Sequence, residues 1–132
     1  MYERVLVALK SDPSDEQIVA HAADLAALAG SRLTLLHAVH SHSRDAGAFL
    51  EQEATAYLEE MAGPIRARGI ETEVMVVPGE PAETIQTVAA QTGAELLVMG
   101  THGHHQVRHV LLGSVTESVI RGCSVPALLI RP

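Results

Sequence analysis

Glu95-Leu-Leu-Val-Met-Gly100-Thr-His-Gly103-His-His-Gln-Val-Arg-His-Val-Leu-Leu-Gly113-Ser114-Val-Thr-Glu117 opens as a short apolar run, breaks at two glycines and resumes after a third with the polar start of a helix. A continuous apolar run closed by glycine reads as a strand buried on both faces of a parallel sheet. Glycines let backbone amides approach an anion with no side chain in the way. A helix N-terminus adds unpaired N–H groups and a partial positive charge. Ser114 reads as the N-cap, with Glu117 three residues on completing a Ser-x-x-Glu capping box; the same hydroxyl can instead donate to a phosphate oxygen. The stretch therefore predicts strand, anion-binding loop and helix.

The same alternation runs outward to both ends of the chain. Arg4–Leu9 is a second apolar run, followed by the polar Lys10-Ser-Asp-Pro-Ser14. From Asp15 to Ala29 the period becomes helical through Ile18, Ala22, Leu25 and Ala29, and Gly30 supplies the stop. Strands are expected at 32–39, 70–77, 95–100 and 125–130, and helices at 47–68, 82–91 and 114–121. Gly63-Pro64 is expected to kink the long helix, Gly69 to end it, and Pro81 to stand near the first position of the next. Such regular alternation implies an α/β fold: an open parallel sheet with right-handed helical crossovers and helices on both faces. Ligands of such sheets bind beyond the carboxyl ends of the strands, where the strand order reverses.

Composition bounds the function. At 132 residues the chain is expected to form one domain, 1–132. Hydrophobic residues make up 47% and charged residues 19%, enough to build a core, which the 2% of aromatics makes aliphatic and Ala-rich. A net charge of −7 and the lack of Trp argue against a nucleic-acid surface. No apolar run approaches the ~18 residues of a membrane span, and the N-terminus does not read as a signal peptide, so a cytoplasmic location is expected. The single Cys123 excludes an intramolecular disulfide and a cysteine-based zinc site; it reads as a small buried hydrophobe.

The glycine spacing is neither the Walker A pattern nor Gly-x-Gly-x-x-Gly. It is Gly-x2-Gly-x9-Gly-Ser, and here the sequence resembles the universal stress protein family. The pieces that carry the resemblance are Val5-Leu-Val-Ala8, Leu36-His37, Gly79-Glu-Pro-Ala82, Leu97-Val-Met-Gly-Thr-His-Gly103, Gly113-Ser-Val-Thr-Glu-Ser-Val-Ile120 and Val125-Pro-Ala-Leu-Leu-Ile130, spanning nearly the whole chain in order. The resemblance implies strand order 3-2-1-4-5, a homodimer built on the last strand, and, for members with this glycine signature, ATP binding in a stress-linked regulator. It carries over Ala8, Leu9 and Ala38 to the adenosine side. Met99, Gly100, Gly103, Gly113, Ser114 and Val115 match the loop and helix on the phosphate side, with the amides of Gly103 and of Gly113 to Val115 as phosphate donors.

One position departs from the family pattern. Lys10, the only lysine, stands where the family has an Asp that contacts the nucleotide. An ammonium only donates hydrogen bonds, so that contact cannot be copied. Lys10 either directs a point charge at a phosphate or extends to solvent. The alternative function is accordingly a dimeric interaction module that no longer binds nucleotide.

Other residues of the loop invite their own readings. Arg108 and His102 are candidate phosphate contacts. His105 and His109 stand at i, i+4 and are weak candidates for a transition-metal site; solvated histidines or a pH-responsive cation cluster are the other readings. His37 reads as a hydrogen-bonded core histidine, and His40 and His42 as residues at the mouth of the ligand site. Mg2+ is a candidate companion of ATP. No loop carboxylate is placed as a general base unless Glu117 leaves its cap, so at most slow ATP hydrolysis is expected.

Overall fold

In the computed structural model, residues 1–40, 44–101 and 112–131 are described. Five strands, β1 Arg4–Leu9, β2 Arg32–Val39, β3 Thr72–Pro78, β4 Leu96–Gly100 and β5 Ala127–Ile130, alternate with α1 Asp15–Ala29, α2 Arg44–Ala67, α3 Pro81–Thr92 and α4 Ser114–Gly122. The sheet runs β3-β2-β1-β4-β5 with every pair parallel. The central strand explains the unbroken apolar run that announces it. Val5, Val7 and Leu9 enter one core with α1, α2 and their Ala22, Ala26, Leu58 and Ile65. Leu6 and Ala8 enter the other with Ile85, Val88, Met99 and Val119 of α3, β4 and α4. Alternate side chains are buried on opposite faces, so both parities must be apolar.

The helix ends follow from local chemistry. Gly30 and Gly93 close α1 and α3 at φ 71° and 67°, a left-handed conformation natural to glycine. Pro81 occupies the first turn of α3, and the Glu80 carboxylate caps that helix by accepting from the Ala82 and Glu83 amides.

Three boundaries differ from the sequence reading by more than one residue. α2 begins at Arg44 rather than 47, because its early turns include exposed residues such as Phe49 that carry no burial pattern; it runs through Pro64 to Ala67. β3 begins at Thr72 because the Ile70 amide turns back to the Ile65 carbonyl and belongs to the end of α2. β5 begins at Ala127 because Pro126 has no N–H for the ladder, offering only its carbonyl to Leu97. Among the described residues, no helix is long and apolar enough to cross a membrane.

Candidate functional site

The strand order reverses between β1 and β4, and the register there pairs Val7 with Val98. Pairing between the two strands stops there while β1 runs on to Leu9 and β4 to Gly100, the place in an open parallel sheet where a crevice opens, between the β1–α1 loop and the end of β4. Helix α4 is fastened to this crevice twice. The Gly113 amide donates to the Thr101 carbonyl at 2.7 Å, and the buried Thr116 hydroxyl donates to the Gly100 carbonyl at 2.8 Å. These bonds hold the N-terminus of α4 against the end of β4.

Two expectations about this helix are corrected. Its N-cap is Gly113, not Ser114, and no side chain caps it; Ser114 already has helical geometry, so its hydroxyl is not held in a capping box. Glu117 instead accepts from Arg121 one turn later, at 2.6 Å. The Gly113 amide, expected to serve a phosphate, is engaged by Thr101. The first-turn amides of Ser114, Val115 and Thr116 are the ones left without an intrahelical acceptor.

On the other side of the crevice the chain turns out of β1 through Lys10 and Ser11. Ser11 has φ 60°, a left-handed conformation uncommon for a residue with a side chain. Asp15, fully buried at the start of α1, holds that turn. Its carboxylate accepts from the Lys10 amide at 3.1 Å, the Ser11 amide at 2.8 Å and the Tyr57 hydroxyl at 3.1 Å. Tyr57 belongs to α2, so one carboxylate ties strand end, loop and helix together. Burial pushes the Asp15 carboxyl up, and these hydrogen bonds oppose it. Tyr57 is also raised, by desolvation and the Asp15 charge, and stays a protonated donor. Asp12 accepts from both the amide and the hydroxyl of Ser14, a local turn that fixes the rest of the loop. Burial depresses Lys10, while Asp12 and Asp15 act to restore it.

Next to this turn lies a cleft of about 570 Å³, within the usual range for small-ligand sites. Ser11, Ala38, His40, Leu50, Glu53 and Tyr57 are among the residues lining it. His37 also lines it and hydrogen-bonds the Leu9 carbonyl at 2.9 Å. A carbonyl only accepts, so Nδ1 carries the proton in this bond and Nε2 is the ring nitrogen left for other contacts. The cleft thus has apolar walls with a few fixed polar groups.

A model of the universal stress protein family matches residues 1–131. The chain belongs to the universal stress protein family. Among its relatives, universal stress protein MJ0577 of Methanocaldococcus jannaschii is 33% identical over 82 residues, which are 62% of this chain and 51% of that protein. Universal stress protein A homolog 2 of Coxiella burnetii is 32% identical over 143 residues, covering 98% of this chain and 95% of that one. The solved structure of MJ0577 superposes with a TM-score of 0.91 at 26% identity, over 100% of this chain and 97% of that one. A universal stress protein solved in complex with cAMP gives 0.80 at 28% identity, over 98% and 97%.

Within this universal stress protein fold the described candidates fall into two groups. Ala38 and Lys10 stand on the β1–β2 side, and Gly100, Ser114 and Val115 on the β4–α4 side. The side chains of Ala8, Leu9 and Met99 are buried in the two cores, so what they can offer a ligand is backbone. His102, Gly103, Arg108, His105 and His109 lie outside the described residues, as does His42. Among the described residues no three His, Cys, Asp or Glu groups converge as metal ligands. Cys123 is half-buried against the core beside α3 and α4. Asp15, Tyr57 and Glu53 are the site residues that sequence reasoning missed. For Asp15 a signal existed: an acidic residue six positions beyond a buried strand end.

Proposed function

We propose that this universal stress protein binds an adenine nucleotide, ATP in the first instance, across the crevice between β1 and β4 and works as a regulator rather than as a fast enzyme. The observation that carries the reading is the first turn of α4, whose Ser114 to Thr116 amides have no intrahelical acceptor and which the Gly113 amide and Thr116 hydroxyl fasten to the end of β4. An anion is favoured at such a helix start by the amides and by the helix dipole together. The cleft beside Ala38 and Tyr57 is the matching place for the nucleoside. Support comes from the related universal stress protein in complex with cAMP, an adenine nucleotide. Gly103, Arg108 and His102 would complete the phosphate side, Mg2+ would accompany ATP, and the expected place of work is the cytoplasm.

Calorimetric titration with ATP, with and without Mg2+, tests this directly. Micromolar affinity is expected; a folded protein that gives no binding heat with ATP, AMP or cAMP sinks the proposal.

The same proposal includes a homodimer through β5. This strand is at the edge of the sheet, is only four residues long, and leaves Ala127 and Leu128 exposed. An apolar edge with unpaired backbone groups is a surface that proteins ordinarily cover. Light scattering at micromolar concentration is expected to give twice the 14.0 kDa of the chain; a monomer mass would remove the dimer and leave the nucleotide site standing.

A further inference from the structure

The polar groups of the cleft are not equally available to a ligand. On α2, Leu50, Glu53, Ala54 and Tyr57 recur at three- and four-residue steps and turn one helical face into it. The Tyr57 hydroxyl is engaged with Asp15, and so is the Ser11 amide. The buried Asp15 carboxylate already accepts from three donors. His37 Nδ1 is engaged with the Leu9 carbonyl, which leaves only one ring nitrogen for a ligand. The Lys10 ammonium, at the loop, only donates. Glu53 is exposed, is the one carboxylate lining this cleft among the described residues, and is absent from every hydrogen bond and ion pair described for them.

A carboxylate has two oxygens side by side, the acceptor pair that matches two neighbouring hydroxyl donors. The same match lets an acidic side chain read a ribose hydroxyl in dinucleotide-binding folds. An amine or amide cannot present that pair. We infer that the Glu53 carboxylate receives the 2′- and 3′-hydroxyls of the bound nucleotide, so that this protein selects ribonucleotides over 2′-deoxyribonucleotides from the α2 wall of the cleft. The inference rests on the nucleotide reading above and adds to it the group that reads the sugar. It also assigns polarity to the ligand: sugar against α2, phosphates toward α4.

The experiment is a two-by-two calorimetric comparison of wild type and Glu53→Gln with ATP and 2′-deoxy-ATP, repeated with Glu53→Ala. Wild type is expected to bind ATP about tenfold or more tightly than 2′-deoxy-ATP, the scale of a hydrogen bond to a charged group. In both variants ATP, which loses both sugar contacts, should lose clearly more affinity than 2′-deoxy-ATP, which loses only the 3′-hydroxyl contact, so that the preference for ATP shrinks to within about twofold. Glu53 is exposed on a helix, so both variants should fold as the wild type does. Preference retained in the variants, or equal losses for both nucleotides, overturns the role of Glu53 while nucleotide binding survives. Equal wild-type affinities for the two nucleotides overturn it as well. A wild type that binds neither overturns the nucleotide reading itself, and this inference with it.

Discussion

Gly113→Asp is expected to leave a folded protein that no longer binds nucleotide. Gly113 has φ −67° and ψ 159°, an extended conformation open to any residue, so the substitution imposes no backbone strain there. It is the N-cap of α4, a position where Asp is among the preferred residues, and helix stability should hold or rise. What changes is the charge at the anion site: a carboxylate would accept the first-turn amides that a phosphate needs and repel the phosphate itself. Affinity for ATP should fall by about a hundredfold or more, on the order of 3 kcal/mol. Calorimetry beside a thermal melt checks both halves. Unchanged affinity in a variant that melts normally would remove α4 from the site.

Asp15→Ala should carry the largest cost in stability. Removing a fully buried carboxylate leaves the Lys10 and Ser11 amides and the Tyr57 hydroxyl without their acceptor. It also releases the left-handed turn at Ser11. Orphaned donors cost roughly 1–3 kcal/mol each when buried, and a loss of about 3 kcal/mol is expected after partial solvation. Urea denaturation measures it, and a loss within 0.5 kcal/mol, the usual range for an unimportant surface change, would show that water replaces the carboxylate freely.

The pH dependence of that loss has a definite sign. Burial raises the folded Asp15 pKa above its ordinary 3.8. The folded protein therefore holds this proton more tightly than the unfolded chain does. The linked stability is fully present below the unfolded value and is lost as pH rises through the folded one. The gap between wild type and Asp15→Ala should accordingly be widest at acid pH and narrow toward neutrality. A gap that widens with pH would contradict the raised carboxyl.

The fold was legible in the sequence wherever burial imposed a period. Asp15–Ala29 and Arg32–Val39 are read at their observed bounds, because an Ala-rich stripe, a terminal glycine and a buried strand leave separate marks. The ends of α2 and β5 were less legible: exposed turns have no period to read, and Pro126 stops a ladder without ending the apolar run. The start of α4, the proposed phosphate side, announced itself through glycines, yet the assignment of its cap was wrong by one residue. Only the bond from Gly113 to Thr101 shows that the Gly113 amide is already engaged. Asp15 escaped notice because an acid in the first turn of a helix is the ordinary partner of its dipole. One of its three donors is Tyr57, forty-two positions away. Glu53 had no signal of its own, since an isolated acidic residue on a polar helix face has nothing to distinguish it until the opposite wall is in place.

The placement of β1 in the middle of the sheet has a bearing on how the protein is made. Its first neighbour, β2, starts at Arg32, while its second, β4, starts only at Leu96. During synthesis the first 78 residues can pair β1, β2 and β3 early, but the far edge of β1 waits for the last third of the chain. Distant partners of this kind are slow to join and leave apolar backbone open to wrong associations in the meantime. The crevice does not exist until that late strand docks. A ligand that binds there would therefore report on finished molecules alone, and its presence in the cell would favour the completed sheet over every shorter or misassembled form.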